Sequence, residues 1–157
     1  MTDPGFPHLT EAGDARMVDV GDKEVTRRKA VAEGTVRLGP EVAERLFSGA
    51  LPKGDATAVA RLAGIMAAKK TPDLIPLAHP LSLDSVEVEI TQVEEGALIA
   101  AAVTTTARTG VEMEAMTAVA AACLALYDMV KGLERGVEIG PIRLVSKEGG
   151  RTGSWRR

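Results

Sequence analysis

Aromatic rings are scarce in this chain of 157 residues: Phe6, Phe47, Tyr127 and Trp155 are all it has. Its core must therefore be built from Ala, Val, Leu, Ile and Met, and no row of rings exists on which the bases of a single strand would stack. A net charge of -3 removes the attraction on which nonspecific nucleic-acid binding depends. An RNA-binding sheet is disfavoured on both counts. Cysteine is as scarce. Cys123 has no partner for an intrachain disulfide, which fits a reducing compartment, and its place in an apolar run reads as a small buried hydrophobe. With two histidines, one cysteine and no Cys or His pair at ligand spacing, tetrahedral zinc is close to excluded. No metal site is assigned, although carboxylates could hold a weak Mg²⁺. No charged leader followed by an apolar stretch precedes residue 20, and no apolar run reaches the roughly 18 residues of a spanning helix. The expectation is a cytoplasmic protein without a membrane partner.

What is present suits one folded unit. Apolar residues make up 45% of the chain and charged ones 26%, the balance of a soluble globular protein, and a domain of this size buries about 68 to 70% of its unfolded surface. Residues 1–14 hold Pro4, Gly5, Pro7 and Gly13 without periodicity and read as a flexible arm, with His8 a solvated side chain in it. Residues 15–147 form the single domain. Residues 148–157, EGGRTGSWRR, read as a flexible basic tail.

Within the domain, Arg16 to Val20 could form a short strand or an extended clasp, followed by the turn signal Gly21-Asp22. From Arg27 to Leu38 polar and apolar residues alternate as in a half-buried strand. Pro40 and Gly49 bracket a short helix. Asp55 is placed to cap a second helix, in which Val59, Leu62 and Met66 recur at helical spacing and Lys69 and Lys70 close the end. The prolines at 72, 76 and 80 predict an extended, irregular loop. Asp84 to Thr91 and the run after Glu95-Gly96 predict a β-hairpin, Arg108 to Lys131 a long apolar helix with charged ends, and Pro141 to Lys147 a last strand. This order predicts an α+β fold, a ferredoxin-like antiparallel sheet with helices packed on one face.

Candidate functional residues cluster at the ends of the long helix. Glu112 and Glu114 suit the positive end of the helix dipole, while the preceding Arg108-Thr109-Gly110 could expose backbone N–H groups to an anion; both readings remain open. Asp128 and Lys131 share a helix face, as an ordinary surface ion pair or as an acid-base residue with its tuning cation. His79 sits between Ala78 and Pro80, packed or functional. A helix beginning near Glu114 would place Asp128 about 21 Å away. Either a ligand is long, or two chains share it.

Several segments together resemble one family, the MoaC-type cyclic pyranopterin monophosphate synthases: MVDV at 17–20, KGD at 53–55, ARLAGIMAAKKT at 60–71, LIPLAHPL at 74–81, TGVEMEAMTA at 109–118, YDMVK at 127–131 and KEGGRTG at 147–153. The resemblance runs from about Met17 to Gly153. It implies rearrangement of (8S)-3',8-cyclo-7,8-dihydroguanosine 5'-triphosphate into cyclic pyranopterin monophosphate with release of pyrophosphate, a lyase step of molybdenum cofactor biosynthesis. No cofactor is implied, with Mg²⁺ possible on the triphosphate. By position it implies that Asp128 is the catalytic acid-base residue and Lys131 its neighbour. Substrate binding is implied for Leu77, Ala78, His79, Met113 and Glu114, with Lys53, Glu112 and Lys147 also at functional positions. Lys53, Lys69, Lys131 and Lys147 would then meet phosphates, and Arg151 stands where Lys is common. Ala78 replaces the usual Cys, so no catalytic thiol is assigned. The resemblance further implies a homohexamer, a trimer of dimers with sites between subunits, in which Asp128 and Lys131 of one copy face His79 and Glu114 of another. The competing reading is a ferredoxin-like regulatory domain that binds a small nucleotide without turnover.

Overall fold

Alternation of small apolar and polar residues makes the longest strand, β1 (Thr26–Arg37), which buries Ala30, Ala32 and Val36 on one side. The computed structural model describes residues 8–10, 12–151 and 153–157, and of the arm read at 1–14 residues 1–7 and 11 lie outside them. After β1 come α1 (Pro40–Phe47), with Pro40 in its first turn, and α2 (Ala56–Ala68), capped by the Asp55 carboxylate, which accepts from the Ala58 amide. A single turn, α3 (Thr71–Leu74), precedes the hairpin of β2 (Ser85–Val93) and β3 (Gly96–Ala107). Then follow the long helix α4 (Glu112–Val130), β4 (Glu138–Ile139), β5 (Arg143–Glu148) and β6 (Trp155–Arg156).

The strands pair antiparallel in the order β2-β3-β1-β5-β6, with β4 beside the end of β1. β1 and β2 run the same way with β3 between them, the split β-α-β arrangement of a ferredoxin-like fold. The α+β expectation holds. On one face of the sheet lies α4, which packs on β1, β3 and β5, and α2 packs on α4 and β2.

The structure departs from the sequence reading in four places and decides between its alternatives in a fifth. Residues 71–74 are helical although Pro72 lies among them, because a first turn needs no N–H from its proline. Of the two forms open to Arg16 to Val20, strand and extended clasp, the structure has the clasp, unpaired with the sheet and fastened through Val18 to His79, with a single bridge between Leu9 and Ala15 just before it. The tail contains a strand, since Trp155 and Arg156 pair with Lys147 and Ser146 of β5. In α2 the large apolar residues face outward, with Leu62 60% and Met66 66% exposed, while Ala56, Ala60, Gly64 and Ala68 are buried. Finally, α4 has 19 residues and is long and apolar enough to cross a membrane by length and composition. It is nonetheless the core helix here, with Ala115, Ala118, Val119, Ala122, Cys123 and Leu126 fully buried against sheet and α2. Burial also pushes the Cys123 thiol up to about 11, which leaves it protonated and inert at neutral pH.

Two glycines set how closely α4 approaches its neighbours. A Cβ on Gly64 of α2 would stand 2.9 Å from the Ala118 carbonyl oxygen and 3.1 Å from a Val88 methyl. One on Gly34 of β1 would stand 2.8 Å from a Val119 methyl. Gly64→Ala gains about 1 kcal/mol of helix propensity, yet the overlap with helix backbone is expected to cost about 1 to 3 kcal/mol more than that gain. Urea unfolding should therefore show Gly64→Ala destabilised. Gly132→Ala, which meets nothing within 4 Å, should stay within about 0.5 kcal/mol of wild type.

Candidate active site

The N-terminal end of α4 opens on a cleft of about 310 Å³. Its wall is the loop before β2, which contributes Leu77, Ala78, His79 and Leu81, and its floor is the turn into the helix, Thr109, Gly110, Glu112, Met113 and Glu114. The loop is extended by its prolines and hung on β3, where the Asp84 amide donates to the Thr104 carbonyl at 2.9 Å and the Thr105 hydroxyl to the Ser82 carbonyl at 2.6 Å. Gly110 leaves room at the turn for the Glu112 carboxylate, which a Cβ there would displace. Arg28 of β1 holds the same turn, donating to the carbonyls of Ala107 at 3.1 Å and Arg108 at 3.2 Å.

The ionisable groups of this cleft differ in environment. Glu114 is 3% exposed. Desolvation raises its carboxyl above the ordinary glutamate value, with the neighbouring Glu112 charge adding to the shift. Glu112 is instead half-buried and paired with Lys147 of β5 at 3.1 Å. His79 donates through Nε2 to the Val18 carbonyl at 2.7 Å; a carbonyl only accepts, so Nε2 carries a proton. This bond ties the segment 17–20 across the cleft, and the Arg108 guanidinium, donating to the Lys23 carbonyl at 3.1 Å, secures the segment that follows.

A second cluster lies at the far end of α4. Asp128 is held by Lys131 at 2.6 Å and by Lys53 at 3.6 Å, and Lys53 also donates to the Asp128 carbonyl at 2.6 Å. The Lys131 hydrogen bond and charge, with Lys53 behind them, keep the Asp128 carboxyl below its ordinary value, and Asp128 in turn raises Lys131. All three side chains stand about half in water, 58% exposed for Asp128, 54% for Lys131 and 45% for Lys53. Exposed pairs of this kind add little to stability. The cluster presents two cations suited to an anionic ligand and, between them, a carboxylate that they keep ionised and so able to accept a proton, at the cost of weaker basicity.

The chain thus brings Leu77, Ala78, His79, Glu112, Met113, Glu114 and Lys147 to one end of α4 and Lys53, Asp128 and Lys131 to the other. Lys69 belongs to neither; it is the exposed C-cap residue of α2. Arg151 lines a neighbouring cleft of about 350 Å³ with Asp22, Lys23, Glu24, Thr26, Arg28 and Gly150. Sequence reasoning passed over Lys23, Val18, Val20 and Arg28 as site residues. The available signal was the turn at Gly21, where the Asp19 carboxylate accepts from the Gly21 amide and folds the chain back toward β1. It also gave no role to His8, which is exposed as expected and lines the first cleft. Among the described residues no three His, Cys, Asp or Glu side chains are grouped as metal ligands.

Comparison with known proteins finds relatives along nearly the whole chain. Residues 17–150 match the MoaC family. A protein of Pelotomaculum thermopropionicum named cyclic pyranopterin monophosphate synthase is 54% identical over 155 residues, covering 98% of this chain and 91% of that protein. Proteins of the same name from Thermomicrobium roseum and Streptomyces coelicolor are 55% identical over 152 residues and 53% over 150, each covering 96% of this chain and 92% and 88% of their own lengths. With agreement over nearly the whole length, the chain belongs to the MoaC family.

Proposed function

We propose that this chain is a cyclic pyranopterin monophosphate synthase, a phosphorus-oxygen lyase of molybdenum cofactor biosynthesis. It converts (8S)-3',8-cyclo-7,8-dihydroguanosine 5'-triphosphate into cyclic pyranopterin monophosphate and pyrophosphate. The observation that supports this reading is a chain whose residues 17–150 match the MoaC family and which sets an acid-lined cleft at one end of α4 and the Asp128, Lys131 and Lys53 cluster at the other. In the cyclising step a ribose hydroxyl forms a new bond to the α-phosphorus, the bond to the pyrophosphate oxygen breaks, and the hydroxyl proton leaves. Asp128, ionised between Lys53 and Lys131, is the acceptor suited to that proton. The lysines meet the negative charge of the phosphates, with Lys147 and Arg151 as further cations and Lys69 the most remote. Glu114 keeps its proton to higher pH and can hydrogen-bond, or donate to, the ring as it opens and recloses. The reaction draws on no protein-bound cofactor, and Mg²⁺ enters only as an escort of the triphosphate.

The site is completed by a second copy of the chain, within a cytoplasmic homohexamer built as a trimer of dimers. Two facts support this. The clusters sit at opposite ends of one unbroken 19-residue helix, so the 21 Å separation estimated from helix rise stands. Leu124, 62% exposed, lies one turn before Asp128 on the same helix face, and Leu62 and Met66 of α2 are exposed as well, an apolar surface suited to a partner.

Three outcomes are expected. The purified chain should release pyrophosphate from the cyclic dihydroguanosine triphosphate and yield a product of altered mass; a ligand returned intact would instead favour the regulatory domain. Asp128→Asn should lose at least about a hundredfold in kcat while unfolding at the wild-type temperature. Asp128→Asn and Glu114→Gln proteins, each inactive alone, should recover on mixing up to about a quarter of wild-type activity, since half of random dimers pair the two variants and keep one intact site. No recovery after verified subunit exchange would place each site within one chain.

The tuning of Glu114 also has a signed consequence for stability. Its folded carboxyl is raised, so its contribution is fully present below the unfolded value and is lost as pH rises through the folded one. Glu114→Gln cannot ionise. Its stability relative to wild type should therefore climb between about pH 5 and about pH 8, read by urea unfolding at both.

A further inference from the structure

We propose that His8 is a substrate-contacting residue, carried to the mouth of the cleft by a small hairpin whose described residues are 8–10 and 12–16. The inference rests on the reaction proposed above and assigns a role to a residue outside the 17–150 family match.

The hairpin is built by its own hydrogen bonds. The Arg16 amide donates to the His8 carbonyl at 2.8 Å and the Thr10 amide to the Asp14 carbonyl at 2.8 Å, on either side of the Leu9–Ala15 bridge. At its tip the Gly13 amide donates to the Thr10 carbonyl at 3.0 Å and the Asp14 amide to the Thr10 hydroxyl at 3.0 Å, with Gly13 at φ 86°. His8 is thus fixed relative to Arg16, and Val18, two residues further on, is anchored to His79 at 2.7 Å. The chain from His8 to Val18 is one strap whose downstream end is fastened to a cleft residue. Its upstream end delivers an imidazole to the same cleft.

The position of His8 says which part of the substrate it meets. Glu114 is buried at the floor, whereas His8 is exposed at the rim. Glu112 and the buried carboxyl of Glu114 supply hydrogen-bonding oxygens at the floor that pair with the polar edge of a guanine-derived ring, so the ring lies inward and the sugar and phosphates lie toward the rim. There the cleft offers an imidazole N–H and the Lys23 ammonium, donors matched to anionic oxygens. His8 therefore donates a hydrogen bond to an oxygen of the triphosphate.

The test compares His8→Ala and His8→Gln in the full-length protein, with thermal unfolding as the fold control. Loss of one charge-assisted hydrogen bond should raise KM for the cyclic dihydroguanosine triphosphate about tenfold in His8→Ala, leave kcat close to wild type, and be largely restored in His8→Gln, which keeps an N–H donor. Calorimetry with GTP and with guanosine separates the site of contact: His8→Ala should weaken GTP by a similar factor and leave guanosine unchanged. Equal losses for both ligands, or a KM within about twofold of wild type, would overturn the assignment. So would a Thr10→Ala variant matching His8→Ala while His8→Gln fails to rescue, because the hairpin alone would then matter. A wild-type protein that binds GTP but releases no pyrophosphate sinks the reaction and leaves the GTP comparison to decide His8; one that binds neither GTP nor the cyclic triphosphate sinks both.

Discussion

The close contact of α4 with its neighbours is the constraint on which the rest depends. Side chains on α4 that would keep it at a distance are absent where it meets α2: Ala118 and Ala122 lie against Gly64, and Val119 and Cys123 fill the space that Gly34 leaves in β1. Small residues on both sides bring the backbones together, and dispersion, weak per atom pair, accumulates over that contact. A helix held so tightly along its length cannot bend or slide to bring its two ends to one point. The separation of the charged clusters is therefore a property of the core.

Burial is graded along that helix, and the chemistry follows the grading. At the first turn Glu114 is enclosed and Glu112 half enclosed, whereas four turns later Asp128 stands 58% exposed. Desolvation dominates where water is excluded, and direct cationic partners dominate where it is not. Two carboxyls of similar intrinsic acidity are thereby pushed apart, the condition under which one can hold a proton while the other accepts one. Lys147 comes to Glu112 from β5, the strand paired with β1 at Ala30, so the sheet register fixes the cation at the cleft.

Much of the fold was legible because alternation and caps report directly on local geometry. The buried side of β1 follows from Ala32 and Val36, Asp55 caps α2, and Pro40 opens α1. The exposed face of α2 was illegible for a physical reason: both its faces are apolar, and periodicity does not say which packs. The small stripe of Ala56, Ala60, Gly64 and Ala68 took the core because a close approach to α4 demands it. The charged ends of α4 were visible as charge flanking an apolar run, but the segment 8–23 was not. Its bonds run from backbone carbonyls to His79 and Arg108, and backbone acceptors leave no trace in residue type. For the same reason Pro and Gly near the start suggested a loose arm where the described part forms a hairpin.

Tying the segment 17–20 to His79 rather than to the sheet has a mechanical consequence. A strand added to the sheet edge would share a ladder of backbone bonds and open only with the sheet, whereas among the described residues this segment is held across the cleft by the Val18 bond, with Arg108 and the Asp19 turn behind it. Local opening free energies follow the number of such protected bonds. Segment 17–20 is thus less protected against local opening than β1, β3 and α4. For the function proposed above, in which a substrate enters and pyrophosphate leaves, that difference between a rigid floor and a lightly fastened cover is useful. His79, as part of the wall and the anchor of the cover, links the two.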